Sequence, residues 1–583
     1  MNIIFIVLGM SAIFYVAYRI YGTFLAKKVF ALNNELKTPA VEMEDGLDYV
    51  PTEPKFLLGQ HFSAIAAAGP ITGPIIAGIA YGWVPALLWI LVGSIFIGGV
   101  HDMGALVASV RNKGRSITET VRMNVSKSAW ILFNLFVFVT LIAIVVAFTD
   151  VTTSSFVNTI DLGNGEMVGG GAIATSSLLY LALPIVMGLL LRYTKLSLTW
   201  ATIIFLPLVG VAIWVGKYIP FNLQQILGMA TPLEAQKVWN VFIMVYCVIA
   251  AVIPVWALLQ PRGHLGGYFL YAAVIVAAIG VLFGGFKVTY PAFTKPMGDG
   301  FWTPMFPMLF ITVACGACSG FHSLVGSGTT SKQLKRETDA KVIGYGAMLL
   351  EGIVAVIALS TVMILAKDSE LLTKSPNFVY ASGIGAFMQL IGVSPALGIS
   401  FGLMAFTTFV YDTLDICTRL GRYIIQELTG WKGWFGRIMS TVITGGMPMF
   451  LILITIKDAK GNPVPAWKVF WSTFGASNQL LAALALVGIT IWLLNTAKNK
   501  KAWLFTFIPA VFMFIMSSWA LVRMFITATV VDGVFAFPAG ANIIVPIACL
   551  IYLALAVWMV IETTRAVASR KGGRMVAPPA AAD

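Results

Sequence analysis

Long apolar runs, separated by short polar segments, recur along the whole chain. A helix needs about 20 mostly apolar residues to cross the hydrocarbon core of a bilayer. By that criterion the pattern predicts about 15 membrane spans (range 15–18), at 3–25, 60–82, 83–108, 128–149, 173–191, 197–216, 238–259, 267–286, 303–330, 342–366, 395–418, 438–456, 467–497, 502–526 and 542–562. The apolar run at 381–393 is too short to cross and is interpreted as re-entrant. The predicted fold class is an all-α polytopic integral membrane protein.

Composition supports this class. Of the 583 residues, 58% are hydrophobic and 11% are charged, whereas soluble domains run about 45–50% apolar and about 25% charged. The cysteines number only five and several lie inside apolar runs, so no disulfide framework is expected. Every predicted loop is too short for a separate soluble domain. We therefore expect a single transmembrane unit over 1–583, and its function lies in the membrane.

The formal net charge of +13 is explained by where the basic residues lie. If the N-terminus is outside, the loops on the inner side carry roughly three times as many Lys and Arg as the outer loops, as the positive-inside rule predicts. We therefore predict an outside N-terminus and a basic cytoplasmic tail at 563–583. The charge reflects topology, so the expected surroundings are lipid and nucleic acid is not an expected partner.

The second predicted span contains a doubled Gly-Pro pattern, formed by Gly69, Pro70, Thr72, Gly73 and Pro74. Each proline removes a backbone donor, so the helix should unwind near its middle. Such breaks in transporters present helix ends and free carbonyls to substrate and ions. A packing kink with small residues is the alternative. We favour a substrate-binding break formed by these five residues.

The seventh predicted span also carries a central proline, Pro254, followed by Trp256. It lies five spans after the second and crosses in the opposite direction, which is the relation found in 5+5 inverted repeats. The interpretation is a LeuT-like architecture with repeats at 60–216 and 238–418 and additional helices at 438–562. Pro254 and Trp256 are then predicted to face the substrate.

The ninth predicted span concentrates hydroxyls and small residues around one histidine. It contains Ser319, His322, Ser323, Ser327, Thr329 and Thr330. Each hydroxyl could simply bond its own helix backbone. Their density favours a polar path, with Ser319 and Ser323 toward substrate and the other four toward a coupling ion. We expect this span to pack on the broken second span.

Ionisable residues inside spans cost about 2.5–3.5 kcal/mol each at a helix centre. Here they are His61, His101, Asp102, His322, Glu351, Asp412, Asp415 and Arg523. Asp412 and Asp415 share one helix face at i, i+3, where mutual repulsion can hold a proton. Alternatively, this pair anchors Arg419 or Arg422 at the inner interface.

Histidine titrates near neutral pH, so His61, His101 and His322 are candidates for a proton relay with Asp102. None of the histidines has the HxxxH or HExxH spacing of a metal site. Neighbouring His101 and Asp102 are expected to point to different helix faces. We therefore predict no bound metal and no cofactor. The coupling ion is expected to be H⁺, with Na⁺ as the alternative because oxygen-rich unwound segments can hold it.

Two adjacent amides, Asn478 and Gln479, lie within an otherwise apolar span. Buried amides in a membrane helix need partners. They could bond a neighbouring helix or a substrate carbonyl or carboxylate.

Five long stretches carry a resemblance to a known family: GQHFSAIAAAGPITGPIIA (59–77), GWVPALLWILVGSIFIGGVHDMGALVAS (82–109), CGACSGFHSLVGSGTTSK (315–332), YDTLDICTRLGRYIIQEL (411–428) and PAWKVFWSTFGASNQLLAALAL (465–486). They closely resemble the carbon starvation protein A (CstA) family. The resemblance implies a peptide transporter or a pyruvate–proton symporter with LeuT-like architecture. The family commonly shows two histidines where this chain has Gln60-His61, so one titratable group of the family pattern is missing at position 60.

Together these features predict a secondary-active, proton-coupled importer of small carboxylate-bearing nutrients, either short peptides or pyruvate. The substrate carboxylate would suit the positive end of a half-helix at the 69–74 break. The alternatives are a sodium-coupled symporter of the same substrates, or a nutrient sensor without net transport that docks a partner through the 26–58 loop and the tail. No nucleophile–base motif appears, so an enzyme is not expected. The oligomeric state stays open.

Overall fold

Apolar helices dominate the computed structural model, which describes residues 1–46, 48–162, 167–254, 256–294, 305–457, 461–531 and 533–571. Within these ranges, 13 helices are long and apolar enough to cross a membrane, or up to 14 crossings if one bent pair is a single span. The predicted all-α polytopic class is confirmed. The end of the predicted tail, 572–583, lies outside the described residues.

Thirteen of the predicted spans correspond to long helices. They are Ile3–Val29 (first span), Trp83–Arg111 (third), Lys127–Val157 (fourth), Gly170–Tyr193 (fifth), Leu198–Tyr218 (sixth), Pro232–Val252 (seventh), Leu259–Phe283 (eighth), Glu337–Met363 (tenth), Pro395–Thr429 (eleventh), Gly433–Leu453 (twelfth), Ala466–Thr496 (thirteenth), Leu504–Thr529 (fourteenth) and Gly540–Ser569 (fifteenth). Three of these helices include π-helical turns, at Leu25–Val29, Ser94–Gly98 and Lys341–Gly346. Such turns locally widen the helix.

The second and ninth spans are broken. The second consists of Pro54–Ile65 and Gly69–Tyr81, which meet at a bend of 48°. The ninth consists of Met308–Thr312 and Phe321–Gly328, joined by non-helical backbone. Each half is too short to cross alone, which accounts for the difference between about 15 predicted spans and 13 long helices. The predicted start of the ninth span, 303–304, lies outside the described residues.

The seventh span ends earlier than predicted. Its helix stops at Val252, and Ile253 is extended, with φ −62° and ψ 142°. A residue that precedes proline is pushed out of the helical region by the proline ring, so Pro254 terminates the helix. The prediction of a mid-helix break at Pro254 is therefore wrong. The eighth helix then begins at Leu259, so the predicted loop at 260–266 is helical.

Short elements complete the fold. The apolar run predicted as re-entrant, 381–393, overlaps the largely buried helix Pro376–Gln389, which packs against the eleventh span. Further short helices are Pro39–Glu42, Ile117–Asn124, Leu223–Ile226, Thr330–Lys332 and Glu370–Thr373. Three antiparallel two-stranded pairs join Thr159–Asp161 to Met167–Gly169, Ile456–Lys457 to Pro463–Val464, and Val530–Val531 to Val534–Phe535.

The 26–58 loop is tied to the segment before the tenth span. Backbone N–H groups of Val50 and Thr52 donate to the carbonyls of Lys332 and Gln333, at 3.2 and 3.0 Å. Glu337 accepts from the backbone of Asn33 at 2.7 Å. Its carboxylate also pairs with Arg111 at 2.6 Å, so several predicted inner loops meet on one face.

Candidate functional site

The two broken spans face each other. A Cβ atom at Gly73 would lie 2.5 Å from the carbonyl oxygen of Thr312, and one at Gly69 would collide with Cys315. Pro70 of the second span lies beside Gly316, which belongs to the non-helical part of the ninth span. The absence of side chains at these glycines lets the backbones approach. The second-span break therefore pairs with the ninth span.

Side chains of the third and thirteenth spans hold the unwound backbone of the ninth. Trp89 donates its indole N–H to the carbonyl of Val313 at 3.1 Å, and Ser94 donates to that of Gly316 at 3.0 Å. The amides predicted for substrate take part as well. Oδ1 of Asn478 accepts from the backbone N–H of Phe321 at 2.9 Å and its Nδ2 donates to Ser319 at 3.0 Å.

Gln479 donates to the carbonyl of Phe310 at 2.5 Å. Both amides therefore bond a neighbouring segment of the protein, which is the first of the two possibilities predicted for them. Four Asn478 contacts and one Gln479 contact satisfy backbone or side-chain groups that the break would leave unpaired. The Oε1 atom of Gln479 stays without a partner among the described residues.

Four buried residues from three spans form a histidine–carboxylate cluster: His101, Asp102, His322 and Glu351. Nδ1 of His101 and Nδ1 of His322 lie 2.7 and 2.8 Å from the two oxygens of Asp102. Nε2 of His322 lies 3.2 Å from Glu351. His101 and Asp102 share a hydrogen bond, so the expectation that they point apart is wrong: the Asp102 carboxylate bonds the neighbouring imidazole with one oxygen and His322 of the ninth span with the other.

The other polar residues predicted in the second and ninth spans bond one another or their own backbone. His61 Nδ1 lies 2.9 Å from Thr330 Oγ1. Ser323, Ser327 and Thr329 each donate to a carbonyl of their own segment, which is the local bonding that hydroxyls adopt in helices. Among the described residues, no group of three or more His, Cys, Asp and Glu side chains could hold a metal ion.

A second group, the arginine–aspartate cluster, consists of Arg262, Asp412, Asp415, Tyr246 and Ser63. Nε of Arg262 donates to Asp412 at 2.7 Å, its Nη2 pairs with Asp415, and its Nη1 donates to Tyr246. Ser63 donates to the other oxygen of Asp412 at 2.6 Å. Ser63 lies three residues before the second-span break, so the cluster connects that break to the seventh, eighth and eleventh spans.

The alternative partners proposed for the aspartates, Arg419 and Arg422, are wrong. Arg419 donates instead to the carbonyls of Ala250 and Ile253, both at 2.8 Å. Sequence reasoning missed Arg262 because it placed this residue in a loop. The available signal was the aspartate pair itself, because two buried carboxylates one turn apart need a cation.

One member of the cluster, Asp412, lines a cavity of about 1230 Å³. Its lining comes mainly from segments 48–49, 114–123, 259–263, 324–333 and 412–433, with Gln60, Ala64 and Asn134. These segments belong to, or adjoin, loops that the charge bias assigns to the inner side. Ser327, Thr329 and Asp412 are the predicted site residues in this lining, as the structure describes it.

Other predicted substrate residues lie elsewhere. The five residues of the Gly-Pro pattern are buried against the ninth and tenth spans. Trp256 lies under the guanidinium of Arg192, 5.7 Å from the ring centroid, and its carbonyl is next to Gly188 of the fifth span. The structure thus brings Pro70 to the ninth span, while the Pro254 segment contacts the fifth and eleventh spans.

One buried carboxylate was missed because the predicted fourth span ended one residue too early. Asp150 is about as buried as Asp412. Its Oδ1 accepts from Gln236 at 3.0 Å and from Asn240 at 3.1 Å, and its Oδ2 accepts from the backbone N–H of Trp467 at 2.9 Å. These donors are neutral, and Asp150 lies outside the cavity lining as described.

Comparison with known proteins identifies relatives over most of the chain. The family model described as "Carbon starvation protein CstA" matches residues 1–379 and 367–520. The peptide transporter CstA of Bacillus subtilis is 31% identical over 89% of this chain and 90% of its own length. The pyruvate/proton symporter BtsT of Escherichia coli is 30% identical over 91% of this chain and 83% of its own length.

Solved structures give weaker matches. A mutant manganese transporter of Eremococcus coleocola is 12% identical with a TM-score of 0.46, covering 90% of this chain and 99% of the other. MhsT in complex with L-phenylalanine is 14% identical with a TM-score of 0.46, covering 80% and 98%. Both scores are too low to establish a shared fold, so the LeuT-like repeat boundaries stay a prediction.

Proposed function

Because the chain belongs to the carbon starvation protein CstA family, we propose that it is a secondary-active importer of small carboxylate-bearing nutrients, either short peptides or pyruvate, driven by protons. The relatives named above are a peptide transporter and a pyruvate/proton symporter. The same proposal places the chain in the bacterial inner membrane, with the N-terminus outside and the cavity facing the cytoplasm.

The observation that carries this proposal is the path from the cavity to buried charge. A cavity of about 1230 Å³ reaches Asp412, whose partner Arg262 is completely buried. Buried ionisable groups beside a water-filled cavity mark substrate and ion pathways in membrane proteins. The broken second span reaches the same point through Ser63, which supports coupling between site occupancy and helix movement.

Protons are the coupling ion that the side chains favour. Two groups of titratable residues, the histidine–carboxylate cluster and the arginine–aspartate cluster, are buried next to the broken spans. Adding or removing one proton strongly changes the electrostatic energy of a buried cluster, because the local dielectric constant is low. Sodium would instead need several oxygen ligands around one point, and it is retained as the alternative driving ion.

Uptake by the purified protein in proteoliposomes tests the proposal. Radiolabelled pyruvate and dialanine are supplied with an imposed pH gradient, a sodium gradient or neither. We expect accumulation of at least one probe only with the pH gradient, abolished by a protonophore. Accumulation driven by sodium alone would replace the ion. Binding of a probe without uptake under any gradient would favour the sensor alternative.

A further inference from the structure

Arg262 lies directly behind the inner wall of the cavity. Asp412 lines the cavity, and its Oδ1 accepts the 2.7 Å hydrogen bond from Nε of Arg262. Gln260 and Gly263, on the same helix as Arg262, also line the cavity, whereas the guanidinium itself is 0% exposed. The Asp412 carboxylate therefore separates the cavity from the guanidinium.

Groups outside the cavity lining hold the other edge of this guanidinium. Asp415 pairs with Nη2, the hydroxyl of Tyr246 accepts from Nη1, and the carbonyl of Tyr411 accepts from Nη2 at 3.1 Å. An arginine fork held in this way stays oriented when one of its partners leaves. Its Nε–H is the donor whose present partner, Asp412, faces the cavity.

The net charge of the arginine–aspartate cluster favours replacement of Asp412 by another carboxylate at the Nε–H of Arg262. One arginine and two ionised aspartates leave one uncompensated negative charge, which is costly in a buried site. A proton on Asp412 removes this charge and weakens its bond to Arg262, because a neutral acid is a poorer acceptor than a carboxylate. A carboxylate that arrives from the cavity can then take the vacated place.

We propose that Arg262 is the receptor for the substrate carboxylate and that Asp412 yields to the substrate on taking up the coupling proton. This inference rests on the proposed function. The proton binds a carboxylate oxygen of Asp412, the Arg262 Nε–H bond to Oδ1 breaks, and a substrate oxygen accepts from the same N–H. The site gains one positive and one negative charge, so one proton accompanies each monocarboxylate. Pyruvate and a peptide C-terminus share this chemistry.

The other groups around Asp412 do not take over this role. Facing Asp412 or its partner Arg262 are Ser63 of the second span, Tyr180 of the fifth, Tyr246 and Cys247 of the seventh and Asp415 of the same helix as Asp412, and Arg419 lies about two turns farther along that helix. Asp415 is the other carboxylate, and it is absent from the described cavity lining. Arg419 lines the cavity, but its Nη2 is committed to backbone carbonyls.

Two transport assays on matched variants test the inference. Asp412→Asn imitates the protonated acid, so we expect it to exchange labelled for unlabelled pyruvate or dialanine at equal pH while losing pH-driven accumulation. Arg262→Lys keeps the charge but loses the fork, and we expect both activities to fall about 10- to 100-fold. Asp150→Asn, which removes a buried carboxylate outside the cavity, should retain both.

A measurement on the wild-type protein covers the case in which a variant fails to fold. In weakly buffered detergent solution, binding of pyruvate or dialanine should take up one proton per substrate, and methyl pyruvate, which lacks the carboxylate, should not bind. Binding without proton uptake would overturn the inference. So would pH-driven accumulation by the Asp412→Asn variant at the level of the wild-type protein. If the wild-type protein transports neither probe, the proposed function itself fails, so the two failures are distinct.

Discussion

Asp150 and Asp412 are equally buried, each 3% exposed, but their surroundings differ. Asp150 accepts hydrogen bonds from two amides and a backbone N–H, all neutral. Asp412 faces a buried guanidinium and a cavity. Neutral donors hold the carboxylate of Asp150 but provide no cation that a second carboxylate could bind. The guanidinium beside Asp412 is a cation next to a cavity, so it can bind a different carboxylate in place of Asp412. Burial alone therefore does not identify a coupling residue.

The backbones around the two carboxylates differ as well. Asp150 lies on the continuous helix Lys127–Val157 and bonds the seventh span, whose helix is also continuous at that point. Asp412 bonds Ser63, which lies on the half-helix Pro54–Ile65 just before the break. A change of partner at Asp412 therefore acts on a half-helix that ends at a break, while Asp150 joins two helices that are continuous at the contact.

Removing the cation of the arginine–aspartate cluster has the largest expected effect. Arg262→Met leaves Asp412 and Asp415 buried without a cation, which should lower the free energy of unfolding by about 3–5 kcal/mol. Thermal unfolding in detergent measures this loss. The combined variant Arg262→Met, Asp412→Asn, Asp415→Asn removes the charges together and should recover most of it. If Arg262→Met were as stable as the wild type, the two buried aspartates would not need the arginine, and the charge assignment of this cluster would be wrong.

Separating the broken spans should have the next largest effect. In Gly73→Ala the new methyl group would meet the carbonyl oxygen of Thr312 at 2.5 Å, and overpacking of this kind costs about 1–3 kcal/mol. Because the half-helix must shift, probe exchange in proteoliposomes should fall too. Gly210→Ala is the matched control, since nothing lies within 4 Å of its added carbon. Identical melting and exchange of the two variants would contradict the close approach.

Replacing the neutral-bonded carboxylate should cost less. In Asp150→Asn one oxygen acceptor becomes a donor, but no charged partner is left behind because the donors to Asp150 are neutral. We therefore expect a loss of about 1 kcal/mol in unfolding free energy. Melting curves check the stability, and uptake at several external pH values should follow the wild-type profile. A changed pH profile would remove the distinction between the two carboxylates.

The sequence predicts the membrane spans well because an apolar run of about 20 residues is the length that a helix needs to cross the bilayer. It also singles out Asp412, Asp415 and His322, since ionisable residues are rare inside spans. The broken second span follows from its prolines in the same way. Each of these signals is local, so the linear sequence is enough to detect it.

Partners across the bundle could not be predicted from local signals. Arg262 follows Gln260 and Pro261, a polar, proline-containing stretch that is typical of a loop, and only the fold reveals its burial between two aspartates. Pro254 looked equivalent to Pro70, but nothing in the sequence indicates that the helix ends there rather than bending. Tertiary packing decides which broken spans face each other, and the contact of Gly73 with Thr312 shows that the second span faces the ninth.

The smallest expected effect concerns an ion pair of the same type at the surface. Lys335 lies 2.5 Å from Glu53, and the two side chains are 46% and 55% exposed. The hydrogen bond from Lys335, and then its charge, lower the pKa of Glu53 below its ordinary value. Any stabilisation is therefore present above the unfolded-state pKa of about 4.3 and is lost as the pH falls through the lowered folded value.

Water screens such a pair, and backbone hydrogen bonds from Val50 and Thr52 hold the same loop. Glu53→Gln should therefore melt at the wild-type temperature at pH 7 within experimental error, and Lys335→Met should behave alike. Melting of both variants at pH 7 and at acidic pH tests this expectation. A loss at pH 7 as large as that of Arg262→Met would mean that burial does not determine how much an ion pair contributes to the stability of this protein.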